Sequence, residues 1–121
     1  MKGKSQQNGR EKDVGEWVRL CSLKEAPEDN HVMEAEIRGV PICLAQVEGR
    51  FAALDNICPH RQGPLGAGWI EGGAVLCPWH AWAFDVQTGL AAAPAKGKVE
   101  VYPVKVEAEE VWLEMPVDET A

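Results

Sequence analysis

The sequence is poor in basic residues: 12 Lys and Arg stand against 19 Asp and Glu, for a net charge of -7. Residues 1–13 hold four of the cations and two of the acids, which leaves 8 against 17, or -9, in the remainder. A surface of that sign repels phosphate backbones and anionic lipid headgroups, which bind chiefly through Lys and Arg, so nucleic acid and membrane surfaces are not the expected partners. A protein with a basic docking patch is favoured instead. No apolar run approaches the roughly 20 residues of a membrane-spanning helix. The opening stretch Met1 to Arg10 also lacks the apolar centre of a secretory signal, so the expected compartment is the cytoplasm. No Gly-x-Gly-x-x-Gly run is present to cradle a dinucleotide. Histidine is scarce, at three residues, and cysteine is limited to four.

Helical periodicity is missing as well. Ser22-Leu23-Lys24-Glu25 has the spacing of a capping box, but Pro27 follows at once and leaves room for one turn at most. Short alternating or apolar runs separated by turn residues take its place. The pattern predicts strands at Trp17 to Cys21, His31 to Ile37, Val40 to Val47 and Phe51 to Leu54, the middle pair joined by Arg38-Gly39 and the last reached through Glu48-Gly49-Arg50. Gly68 to Glu71 and Ala74 to Leu76 form a short hairpin about Gly72-Gly73, and Ala83 to Val86 gives a further strand. Leu90 to Lys98 is rich in Ala, Pro and Gly and has no period. Val99 to Glu107 reads as one strand with Pro103 at an edge or bulge, and Val111 to Met115 closes the series. Such a chain is an all-β sandwich or barrel, and 121 residues suit one domain. Residues 1–13 and 117–121 are too polar to pack and are expected to be flexible tails.

Cys58-Pro59-His60 is followed, after sixteen residues, by Cys77-Pro78-Trp79-His80. Two soft thiolates and two imidazoles thus arrive on two similar loops. A Cys2His2 set can hold zinc, but zinc sites usually pair Cys with Cys and His with His. Here each loop mixes one of each, which suits two metals that each draw one ligand from either loop. The remaining cysteines, Cys21 and Cys43, sit in apolar runs where a thiol behaves as a small hydrophobe, and both are expected in the core. His31, in Glu28-Asp29-Asn30-His31, is expected on the surface.

With Pro59 and Pro78-Trp79-His80 around the ligands, the pattern resembles the Rieske iron–sulfur motif. Phe84-Asp85-x-x-Thr88-Gly89, the segment about Pro94 and the strand Tyr102-Pro103-Val104 extend the resemblance to small Rieske ferredoxins over roughly Trp17 to Met115. The resemblance implies a Rieske-type antiparallel β sandwich or barrel over residues 14–116, with a small cluster-binding subdomain of two loops at about 56–85. It also implies one Rieske 2Fe-2S cluster, with Cys58 and Cys77 on one iron and His60 and His80 on the other. Leu65, Trp79, Trp82 and Pro94 would shield that cluster.

The respiratory branch of the family, in cytochrome bc complexes, carries an extra disulfide between the loops, at positions that are Gly63 and Trp79 here. It also places Ser and Tyr hydroxyls near the cluster where this chain has Trp82 and Phe84. Donors to cluster sulfur raise the potential, so their loss implies the low end of the Rieske range, about -150 mV, without pH dependence near neutrality. No second redox site accompanies the motif, so the chain is expected to be a monomeric one-electron carrier between a reductase and a terminal oxygenase rather than an enzyme. The Rieske-like small subunit of an NAD(P)H nitrite reductase and a zinc-stabilised binding module are the alternatives.

Overall fold

The computed structural model describes residues 15–58, 63–79, 81–93 and 97–116. Within them ten strands form three antiparallel sheets. Strands β1 (Gly15–Ser22), β10 (Glu110–Pro116) and β9 (Val104–Glu107) make the first sheet, in the order β1-β10-β9. The second has the order β2-β3-β4-β8, from β2 (His31–Ile37), β3 (Val40–Val47), β4 (Arg50–Asp55) and β8 (Val101–Tyr102). The third is small, with β5 (Trp69–Glu71), β6 (Ala74–Leu76) and β7 (Ala83–Asp85) in sequential order. The all-β architecture is therefore the observed one. Both terminal segments expected to be flexible lie outside the described residues.

The second sheet is covered on both faces, which explains why β3 reads as a continuous apolar run rather than an alternating one. Its Ile42 and Leu44 point into a core shared with Val111, Leu113 and Met115 of β10 and with Cys21 of β1. Cys43 and Ala45 point the other way, into a second core with Ile70, Val75 and Phe84 of the small sheet and with Cys58, Leu65 and Cys77. Cys21 and Cys43 are thus buried, free thiols on opposite sides of the central layer.

Turn chemistry sets the register. Four hairpins close through two-residue turns in which both residues have positive φ: Arg38-Gly39, Glu48-Gly49, Gly72-Gly73 and Ala108-Glu109. That conformation matches the right-handed twist of the flanking strands, and the fourth pair adopts it without a glycine, at φ 55 and 63. The capping-box residues bond reciprocally, Ser22 N–H to Glu25 Oε1 at 3.0 Å and Glu25 N–H to Ser22 Oγ at 3.3 Å, yet only a turn forms before Pro27.

One strand assignment from the sequence is corrected. The run Val99 to Glu107 is not a single strand: Val101–Tyr102 pairs with β4 in the second sheet, whereas Val104–Glu107 pairs with β10 in the first. Pro103, which has no N–H to give a ladder, sits where the chain changes sheets, and its carbonyl accepts from Glu114 N–H at 3.0 Å. The aperiodic stretch after β7 is held by isolated bridges, Phe84 to Ala91 and Leu90 to Lys98.

Candidate metal centre

Two loops at one end of the small sheet carry the cysteines, and they are built alike. Cys58 N–H donates to Gly63 C=O at 2.8 Å, and Cys77 N–H donates to Trp82 C=O at 2.8 Å, so each cysteine opens a loop closed by the residue five positions on. Just outside these bonds, Ile57 bridges Pro64 and Leu76 pairs with Ala83. In the second loop Ala81 N–H returns to Cys77 C=O at 3.0 Å, with Ala81 at φ 55.

The loops bring the thiols together. Cys58 and Cys77 are free and fully buried in one cluster, near enough for the Cys58 side chain to act on the Cys77 thiol. Burial pushes the Cys77 thiol above its ordinary range, the Trp79 N–H at 3.4 Å from Cys77 Sγ pulls it down, and Cys58 pushes it up again. Metal binding would have to release that proton, as thiolate ligation always does. Two soft donors buried in one apolar cluster, with a backbone N–H directed at one sulfur, fit the thiolate-held half of an iron–sulfur group.

Close packing shapes this pocket. A Cβ at Gly63 would lie 2.8 Å from Cys77 Sγ and 3.1 Å from two Trp79 ring atoms, so the first loop rests directly on the second through a position where a side chain would force one of them to shift. Leu65 opens a 3-10 turn, Leu65–Ala67, and is fully buried in the same apolar cluster as both thiols and Phe84. Trp79 is 50% exposed, and Trp82 is half-buried with its ring 6.3 Å from that of Phe84. His60, His80 and Pro94 lie outside the described residues. Among the described residues no three His, Cys, Asp or Glu side chains converge as a metal site. His31 is exposed on β2, its Nδ1 2.9 Å from the Asp29 carbonyl.

Reading the sequence missed Asn56, the one polar side chain buried among the described residues, at 4% exposure. It stands two positions before Cys58 and bonds to Glu34 and Gly66. A polar residue between a strand and a loop looks solvated in sequence, and only the approach of β2 buries it.

Comparison with known proteins gives concordant results. The family described as Rieske [2Fe-2S] domain matches residues 16–103. The ferredoxin component of a naphthalene 1,2-dioxygenase system from Pseudomonas aeruginosa is 36% identical over 100 residues, covering 82% of this chain and 95% of that protein. Among solved structures, a Sphingomonas yanoikuyae B1 ferredoxin superimposes with a TM-score of 0.75 at 28% identity, over 84% of this chain and 100% of the other. The ferredoxin of carbazole 1,9a-dioxygenase from Nocardioides aromaticivorans IC177 gives a TM-score of 0.74 at 26% identity, over 84% of this chain and 98% of its own.

Proposed function

The chain belongs to the Rieske [2Fe-2S] domain family, and from that premise we propose that Cys58, His60, Cys77 and His80 hold its cluster and that it carries electrons from a reductase to a terminal oxygenase. It is an electron-transfer component rather than a catalytic enzyme, and its cofactor is one Rieske 2Fe-2S cluster. When bound, that cluster supplies one-electron chemistry, with the added electron favoured at the histidine-ligated iron because imidazoles leave it less negative than thiolates do.

The protein's own groups define the conditions for this. Cys58 and Cys77 are fixed by their backbone bonds to Gly63 and Trp82, so their sulfurs need little reorganisation to act as ligands. The Trp79 N–H meets Cys77 Sγ and stabilises negative charge there. Leu65 and Phe84 exclude water from the sulfur side, and neither Trp82 nor Phe84 presents a hydroxyl. The observation that carries the reading is the pair of adjacent, free, buried cysteines in matching loops.

The relatives are named as ferredoxin components of dioxygenase systems, which favours this role over a nitrite reductase subunit or a zinc module. A basic-surfaced redox partner complements the net charge of -7. The protein acts as a monomer in the cytoplasm, without nucleic acid or membrane; among the described residues no helix is long and apolar enough to cross a bilayer. Ligand substitution tests the assignment: His60→Ala or His80→Ala abolishes the visible and electron paramagnetic spectrum of the cluster, whereas His31→Ala leaves it intact. A wild-type spectrum from either ligand variant overturns it.

A further inference from the structure

The first cysteine loop is anchored by a side chain that touches neither thiol. Asn56 Oδ1 accepts from Gly66 N–H at 2.6 Å, and Asn56 Nδ2 donates to Glu34 Oε1 at 3.1 Å. Its backbone is engaged too: Asn56 N–H donates to Pro41 C=O at 3.1 Å and Asn56 C=O accepts from Leu65 N–H at 2.7 Å. One buried residue therefore joins the exposed Glu34 of β2, the start of β3 and both ends of the loop that runs from Asn56 to Gly66. Fit is tight at the far end, where a Cβ on Gly66 would stand 2.6 Å from Glu34 Cγ and 2.8 Å from Asn56 Oδ1.

The chemistry of the amide makes this arrangement directional. A backbone N–H requires an oxygen opposite it and a carboxylate requires a donor, so Gly66 and Glu34 together admit one orientation of the Asn56 amide. Burial of Asn56 and Gly66 raises the cost of the alternative, since a misoriented amide would set its NH2 against the Gly66 N–H and leave that donor unpaired away from water. The loop whose ends are pinned in this way carries Cys58, and its last turn supplies Leu65, which packs in the same cluster as both thiols.

We infer that Asn56, oriented by Glu34, is a positioning residue for Cys58: it clamps the loop so that the thiol keeps its place beside Cys77 and the cluster is retained. This rests on the family reading above. The step from packing to function is that groups holding a metal ligand in place affect metal affinity by roughly ten- to a hundredfold although they do not touch the metal.

The test uses the full-length, cluster-loaded protein and follows the bleaching of its visible absorption by excess EDTA, together with its visible circular dichroism and the melting of the apoprotein. Asn56→Ala and Glu34→Ala should each speed cluster release by roughly ten- to a hundredfold, with little further effect when combined, because both break one clamp. Glu34→Gln keeps the Oε1 acceptor and should release at the wild-type rate. Asn56→Asp sets a carboxylate against Glu34 and should release fast, whereas Asn56→Asp with Glu34→Gln restores a donor facing an acceptor and should return the rate and dichroism toward wild type.

A merely structural role would tie the rate of release to apoprotein melting in every variant, the swapped pair included. Wild-type release in Asn56→Ala, or a swapped pair no better than Asn56→Asp alone, overturns the clamp while a coloured wild-type protein leaves the family reading standing. A wild-type chain that holds no iron–sulfur cluster overturns both.

Discussion

Gly63→Ala is the smallest perturbation that reaches the ligand pocket. The new Cβ would sit 2.8 Å from Cys77 Sγ and 3.1 Å from Cγ and Cδ2 of Trp79, against roughly 3.5–4.0 Å for a relaxed non-bonded contact. Trp79 is 50% exposed and its ring can swing toward solvent. Cys77 cannot follow: it is fully buried, its N–H is committed to Trp82, and a metal–sulfur bond tolerates only a few tenths of an ångström. Overpacking of this kind costs about 1–3 kcal/mol. If that cost falls on the loaded state, it corresponds to a loss of cluster retention of roughly 5- to 150-fold. Chelator-driven bleaching reads this directly, and apoprotein melting shows how much of the cost reaches the rest of the fold. Wild-type release with a wild-type spectrum would mean that the first loop does not lie on Cys77.

Other parts of the molecule give independent checks. Burial, with a smaller contribution from Glu34, pushes the Cys43 thiol from 9.0 up to about 12. A native state that holds this proton more tightly than the unfolded chain is fully stabilised below about pH 9 and loses up to roughly 4 kcal/mol as pH rises toward 12. Denaturant unfolding across that window should show a steeper loss in wild type than in Cys43→Ala, where the other buried thiols still titrate; parallel pH profiles would contradict it. Replacing the turn by Ala108→Asn with Glu109→Gly relieves two non-glycine residues at positive φ and should stabilise by about 1–2 kcal/mol, several degrees in Tm; a lower Tm would argue against that turn. Potentiometry of the loaded protein should give a midpoint near -150 mV that is flat through neutral pH, and a midpoint above zero would remove the argument from Trp82 and Phe84.

What could be read from the sequence depended on how local each feature is. The run Val40 to Val47 announced β3 because a strand covered on both faces needs no alternation. Arg38-Gly39 and Gly72-Gly73 marked their hairpins through glycine, whereas Ala108-Glu109 turns the chain with no residue type that signals it. Pro103 was visible but its effect was not, since alternation continues across it while the strand passes from one sheet to the other.

The cysteines of the candidate site were legible because each sits in a short motif, and the structure brings Cys58 and Cys77 together. The contact of Gly63 with Cys77 and the bond from Asn56 to Glu34 join residues 14 and 22 positions apart, so spacing carries no trace of them. Such contacts become visible only when sheets are stacked.

The most direct measurement is the metal and sulfide content of the anaerobically purified full-length chain, followed by a one-electron reductive titration of its visible spectrum. The expected result is a coloured protein with two irons and two acid-labile sulfides per chain, bleached by one electron equivalent. A colourless protein with bound zinc, or a coloured one that takes up no electron, would contradict it.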